Sequence, residues 1–268
     1  MNSLRREVVV MDHDIRHRRM VRISAEGNIL QSFDVEYGLD LHLLPNGHTL
    51  VNGRKFIVEL DRHFDEVWRY SVEKLELMSC TRLENGNTLI GDIGSKSVYE
   101  LTPRWEKVWE MPFPHNPSAQ EFHELFRMIR PMRNGHLLIA WHEAKKVGEF
   151  NRQGDLVWSC DLPAGPYEAF ELENGNILVS VGPGGQIAEI SKSHGVVWVF
   201  DMCRDAGLER GWIAGLCRLP DGNLVFSDSK WDRLIEISPD KRIVGIFQEP
   251  DILLHPSSLE VVDRYSKS

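Results

Sequence analysis

One short pattern recurs along this chain and limits what it can fold into. A turn built on Asn-Gly or Asp-Gly stands at Pro45-Asn46-Gly47, Glu84-Asn85-Gly86, Arg133-Asn134-Gly135, Glu173-Asn174-Gly175 and Pro220-Asp221-Gly222. The intervals are roughly 40 to 50 residues, and self-similarity at that period marks a solenoid or a propeller. Asn-Gly and Asp-Gly supply two positive-φ positions, so each turn should close a tight hairpin between an innermost and a second strand. A third strand follows as an apolar-Glu-apolar step around Glu59, Glu100, Glu149, Glu189 and Glu236. The fourth carries Val67-Trp68, Val108-Trp109, Val157-Trp158 or Val197-Trp198, with Gly245 where the fifth unit should have its Trp.

The two chain ends complete each other. Residues 7–10, 20–23 and 29–33 match the second, third and fourth strands of a unit, but no turn and no first strand precede them. The missing strand is at the other end, where residues 258–263 align with 41–45. Five whole units and one split unit predict an all-β, six-bladed β-propeller, with four antiparallel strands per blade and the C-terminal strand joining the N-terminal blade. Closure hides the strand edges that an open array would expose. With no linker or low-complexity tract, residues 1–268 read as one domain.

The formal net charge is −9, from 31 Lys and Arg against 40 Asp and Glu. Nucleic acid and anionic membrane surfaces need a basic face, so neither is an expected partner. The arginines at 5, 6, 16, 18 and 19 are a local exception, read as solvated blade surface. No stretch reaches the roughly 18 to 20 apolar residues of a membrane span, and the first residues lack the apolar core of a secretion signal. A cytoplasmic location is the expectation. Cys80, Cys160, Cys203 and Cys217 have no metal-type spacing and are too few for a disulfide scaffold, so reduced thiols are expected, Cys80 and Cys217 within innermost strands.

Length variation shows which face was elaborated. If the Asn-Gly turns mark the bottom of the ring, the loops after second strands and the links between blades share the top. The long links 111–124, 201–212 and 248–256 all fall there, and Asn116-Pro117 predicts a short helix over 117–125. Loops on a rigid scaffold are the usual seat of function. The tryptophans and glutamates that recur in phase read as scaffold, each Glu meeting a structural partner such as a neighbouring backbone amide. Gly182-Pro183-Gly184-Gly185 lies between two strands and reads as a turn, not a phosphate cradle.

Units differ at the top, and the differing positions nominate the site. Ligand-binding candidates are His13, His42, Arg54, Asp92, His123, Arg130, His142, Glu168 and Asp228, with His42 and His142 as catalytic candidates. Acids, histidines and arginines around one axis suit a polar ligand pocket or an acid/base pair, because a carboxylate tunes a neighbouring His toward neutral pH. Asp12, His13, His142 and Asp228 include metal-ligand types, but solvated loop polarity is the simpler reading and no metal is assigned. The leading expectation is a module that binds a small polar ligand or a protein segment over the channel. The alternative is a hydrolase, lyase or transferase in which a top-face His works with Arg54 or Arg130 on an anionic substrate.

The Pro-Asn-Gly-x-Thr-Leu turn at residues 45–50, the third-strand Glu and the fourth-strand Trp resemble the repeats of PQQ-like and arylsulfotransferase-like propellers. The resemblance spans all six units and implies the same fold. Its arylsulfotransferase branch implies sulfuryl transfer between phenols through a channel-lining histidine near the start of an innermost strand, a place that only His42 fills. Quinoprotein dehydrogenases share the aspartate-to-tryptophan step of Asp65 to Trp68 and Asp155 to Trp158. Adjacent cysteines of the quinone site are missing, so PQQ is not an expected cofactor and no other is implied.

Overall fold

A computed structural model describes residues 4–71, 76–114 and 125–262. The helix expected over 117–125 and the candidate His123 lie outside these residues, apart from Leu125. The described residues form six four-stranded sheets arranged as blades around one axis. Blade 1 holds β1 (Val8–Asp12), β2 (Arg19–Ile23) and β3 (Ile29–Asp34); blade 2 holds β4 (Leu41–Leu43), β5 (Thr49–Asn52), β6 (Phe56–Leu60) and β7 (Glu66–Ser71). Blade 3 holds β8 (Leu77–Arg82), β9 (Thr88–Asp92), β10 (Ser97–Leu101) and β11 (Lys107–Pro112). Blade 4 holds β12 (Ile129–Pro131), β13 (Leu137–Trp141), β14 (Lys146–Phe150) and β15 (Leu156–Asp161). Blade 5 holds β16 (Pro166–Glu171), β17 (Ile177–Val181), β18 (Gln186–Ser191) and β19 (Gly195–Asp201), and is followed by a single helix turn, α1 (Met202–Ala206). Blade 6 holds β20 (Ile213–Arg218), β21 (Leu224–Asp228), β22 (Arg233–Ile237) and β23 (Ile243–Phe247). The last strand, β24 (Pro256–Val261), crosses back to blade 1 and pairs antiparallel with β1, Val10 facing Leu259 and Val8 facing Val261. The split blade closes the ring as the sequence predicts.

Burial explains the strand sequences. Second strands are covered on both faces, and β5, β9, β17 and β21 are buried at every position. Fourth strands face solvent, which leaves Val67, Val108 and Val197 about half exposed. Among the described residues no helix is long and apolar enough to cross a membrane.

The turns differ from expectation in one respect. Only the glycines enter the left-handed region, with φ of 82° at Gly47, 85° at Gly86 and 88° at Gly222; the Asn or Asp before them does not. The loop inside the closing pair is three residues long, 45–47: Leu44 N–H donates to His48 O at 2.8 Å, and Gly47 N–H donates back to Leu44 O at 2.8 Å. In this longer loop the Asn acts through its side chain, Asn46 Oδ1 accepting from His48 N at 3.0 Å and Asn85 Oδ1 from Asn87 N at 2.9 Å.

The repeated glutamates bind side chains rather than a backbone amide. Glu100 accepts from Asn85 at 3.2 Å and Asn87 at 2.6 Å in its own turn, and also from Arg152 of the next blade. Glu59 does the same with His48 at 2.8 Å and Arg82 at 2.7 Å, and Glu149 with His136 at 2.7 Å and Lys192. At the ring seam Glu236 receives Arg6 at 3.1 Å. The same cations cover the repeated tryptophans, Arg152 lying 4.1 Å from the Trp109 ring centre and Arg82 5.2 Å from that of Trp68. Glu, Trp and a cation from the next blade form one staple repeated around the bottom.

Candidate functional site

Each of the six blades sends a loop to the top, and together they enclose a cavity of about 700 Å³ over the axis. Its floor and lower wall are apolar, with Leu39, Leu77, Met78 and Ile93. Aromatic rings come from Tyr37, Tyr167 and Trp212. Among the described residues the charges lining it are Arg54, Arg127, Arg210 and Lys230 against Glu76, so an acidic protein carries a basic cavity. Arg54 is paired with Glu76, and Arg127 lies 5.5 Å over the Tyr167 ring. Lys230 Nζ donates to the backbone oxygen of Arg210 at 3.2 Å, which brings those two residues to one point on the rim.

Two histidines complete the wall. His13 Nδ1 lies 3.0 Å from Gly38 O, and a carbonyl only accepts, so this nitrogen carries the proton and Nε2 is the proton acceptor of the neutral ring. The His255 ring is 6.1 Å from that of His13, and Tyr37 stands 6.4 Å away on the other side. Tyr37 and His255 have φ of 54° and 47°. Non-glycine residues in the left-handed region are uncommon, and such strain gathers at functional sites.

Beneath the floor the channel is blocked. Arg130 donates through both terminal nitrogens to Asp40, each at 2.8 Å, and through Nη2 to Glu168 at 2.9 Å. Asp40 also accepts from Ser79 Oγ at 2.8 Å and Cys80 N at 3.0 Å. Asp40 and Glu168 are buried. Burial pushes Glu168 up to about 8, with Arg130 opposing and the nearby Asp40 and Glu260 reinforcing the rise. The cavity therefore has an apolar floor with an ionic plug beneath it.

The sequence candidates separate accordingly. His13 and Arg54 stand in the cavity wall. Arg130 and Glu168 form the plug below it. His42 sits half-buried on β4 opposite Leu50, off the wall. Asp92 is buried and ties its own loop, accepting from Glu76 N at 3.0 Å, Gly94 N at 2.9 Å and Ser95 Oγ at 2.7 Å. Asp228 accepts from Trp212 N at 3.0 Å and Arg233 Nε at 2.9 Å, and His142 Nδ1 donates to Pro166 O at 2.9 Å. Asp12 contacts His17 Nδ1 at 2.5 Å. Among the described residues no three His, Cys, Asp or Glu side chains converge as metal ligands. Tyr37, Arg127, Tyr167, Arg210, Trp212, Lys230 and His255 were not among the candidates. The sequence does place Arg210, Trp212 and His255 in long top links, and Lys230 in a top loop.

No protein-family model matches the chain, and no curated protein matches it in sequence. Solved structures do resemble it. A protein of unknown function from Bacteroides caccae is 19% identical with a TM-score of 0.81, over 95% of this chain and 97% of that one. A streptogramin B lyase is 15% identical with a TM-score of 0.70, over 98% of this chain and 86% of its own. A catalytically inactive histidine-to-alanine variant of virginiamycin B lyase from Staphylococcus aureus, bound to quinupristin, is 11% identical with a TM-score of 0.67, over 98% and 95%. What is shared is the six-bladed β-propeller fold.

Proposed function

We propose that the protein binds a small organic anion in the top-face cavity. The observation that carries this is charge inversion: among the described residues, four cationic side chains meet one acid around the cavity of a chain with net charge −9. Depth and an apolar floor favour a molecule with a hydrophobic body over a bare inorganic ion. A charge-assisted hydrogen bond to the anion contributes about 1.5–3 kcal/mol. Titration calorimetry against a panel of aryl and alkyl carboxylates and phosphates tests the reading. Binding should occur, should weaken with salt, and should fall at least tenfold in Arg210→Ala/Lys230→Ala. Failure of every anion to bind, or indifference to that double change, refutes it.

One observation favours a second reading, an enzyme acting on that anion. His13, its Nδ1–H fixed on Gly38 O, stands in the cavity wall with the His255 ring 6.1 Å away, and a pair of histidines at a cavity is an arrangement suited to moving a proton. Lyases of the same fold, one of them inactivated by loss of a histidine, fit this reading. The sulfuryl transfer implied by the repeats would use His42, which lies off the wall and is the weaker base candidate. His13→Gln separates the readings: under the enzyme reading turnover is lost while binding remains, whereas a plain binding module has no turnover to lose.

A further inference from the structure

One part of the cavity wall is closely packed behind an aromatic ring. Trp212, at the head of β20, lies against His142 with the rings 25° from parallel and their centres 6.1 Å apart. Behind that ring a Cβ on Gly165 would stand 2.4 Å from His142. A Cβ on Gly182 would lie 3.0 Å from Trp212 Nε1, and one on Gly211 2.1 Å from Asp228 Oδ1, the oxygen that accepts from Trp212 N. None of these glycines has a positive φ, so they answer a need for space rather than a turn. The indole is thus backed and anchored, yet it lines the cavity.

A rigid aromatic ring with one side fixed to the protein is a stacking surface. We propose that Trp212 is the platform of this site, and that the bound anion carries a planar aromatic ring laid on the indole while Arg210 and Lys230 hold its charge. This rests on the organic-anion reading above. A sugar ring fits less well, because Leu39, Leu77 and Met78 offer its hydroxyls no partner. In this scheme His142 and Asp228 are positioning residues, acting through Trp212.

The test is calorimetry with three probes on the intact chain: 2-naphthoate, the non-planar decahydro-2-naphthoate of equal charge, and neutral 2-naphthylmethanol. Naphthoate should bind at least tenfold more tightly than either of the others. The preference over the saturated acid should vanish in Trp212→Leu and shrink in Gly182→Ala, whose added methyl displaces the indole. His142→Leu should also lose it while His142→Phe restores it, a rescue that a general loss of stability would not give. Equal affinity for the two acids, or a preference that survives Trp212→Leu, overturns the platform and leaves the anion site standing. Equal affinity for naphthoate and naphthylmethanol overturns the anionic half and the reading beneath it. Binding of none at millimolar concentration overturns both.

Discussion

The bottom and top of this ring spend the same kinds of residue in opposite ways. At the bottom, Glu100 meets Asn85, Asn87 and Arg152, and its counterparts in other blades meet equivalent groups, so these repeated carboxylates are answered in place. At the top, Arg210 and Lys230 meet at the rim of a cavity whose one acid among the described residues, Glu76, is taken by Arg54. Two glutamates make the contrast sharp. Burial pushes Glu100 up, but the bonds from Asn87, Arg152 and Asn85 outweigh it and hold the carboxyl below its ordinary range. Glu168, in the plug under the cavity, is raised to about 8 because burial outweighs Arg130. Repetition marks where the molecule spends polarity on its own stability, and departure from the repeat marks where polarity is kept for something else.

The largest effect should come from the boundary between the two regions. Arg130→Met strands Asp40 and Glu168 in the axis, and losing one partner of a buried ionic cluster costs about 3–5 kcal/mol. Urea denaturation measures it, and a loss under 1 kcal/mol would mean the plug holds nothing together. Gly211→Ala should cost about 1–3 kcal/mol by overpacking against Asp228, and it should also impair ligand binding because Trp212 moves. Glu100→Gln should cost about 1–2 kcal/mol as the bond to Arg152 loses its charge, with ligand affinity untouched.

Thermal melts across pH separate the two glutamates. Glu168 has a folded value above its unfolded one, so the native state binds the extra proton and its ionisation costs stability progressively as pH rises from about 4.5 toward about 8. Glu168→Gln should flatten that fall. Glu100, held low, contributes stability that is present at neutral pH and is lost on acidification below the ordinary carboxyl range, so Glu100→Gln should flatten the acid limb instead. The smallest change in stability, within about 0.5 kcal/mol, belongs to Arg210→Ala/Lys230→Ala on the exposed rim.

The ring was legible because each feature of it is written five or six times: the turns set the period, and the seam was visible as a missing first strand. The φ of Asn46 and its equivalents differs from expectation because Asn-Gly also fits a three-residue loop, in which the Asn side chain caps and the glycine alone turns left-handed. Asp92 and Asp228 looked like site residues because they are polar and near the top. They end fully buried strands, where the loop's own N–H groups or a neighbouring arginine take up a carboxylate. Tyr37 and Arg127 went unnoticed because they lie in links between blades, whose paths follow no period, and Tyr167 because it stands at the start of innermost strand β16 beside the candidate Glu168. Trp212 had a usable signal, since it stands out of phase with the Val-Trp step that accounts for the packing tryptophans.

The most direct measurement sets one change from each face side by side, comparing melting temperature and 2-naphthoate affinity in Arg210→Ala/Lys230→Ala and in Glu100→Gln. The expected result is a crossed pattern: the top pair melts like the parent but binds at least tenfold more weakly, while the bottom change melts several degrees lower and binds like the parent. A top pair that keeps its affinity, or a folded bottom variant that loses it, would contradict the division of the ring into a repeated scaffold and a ligand-binding top.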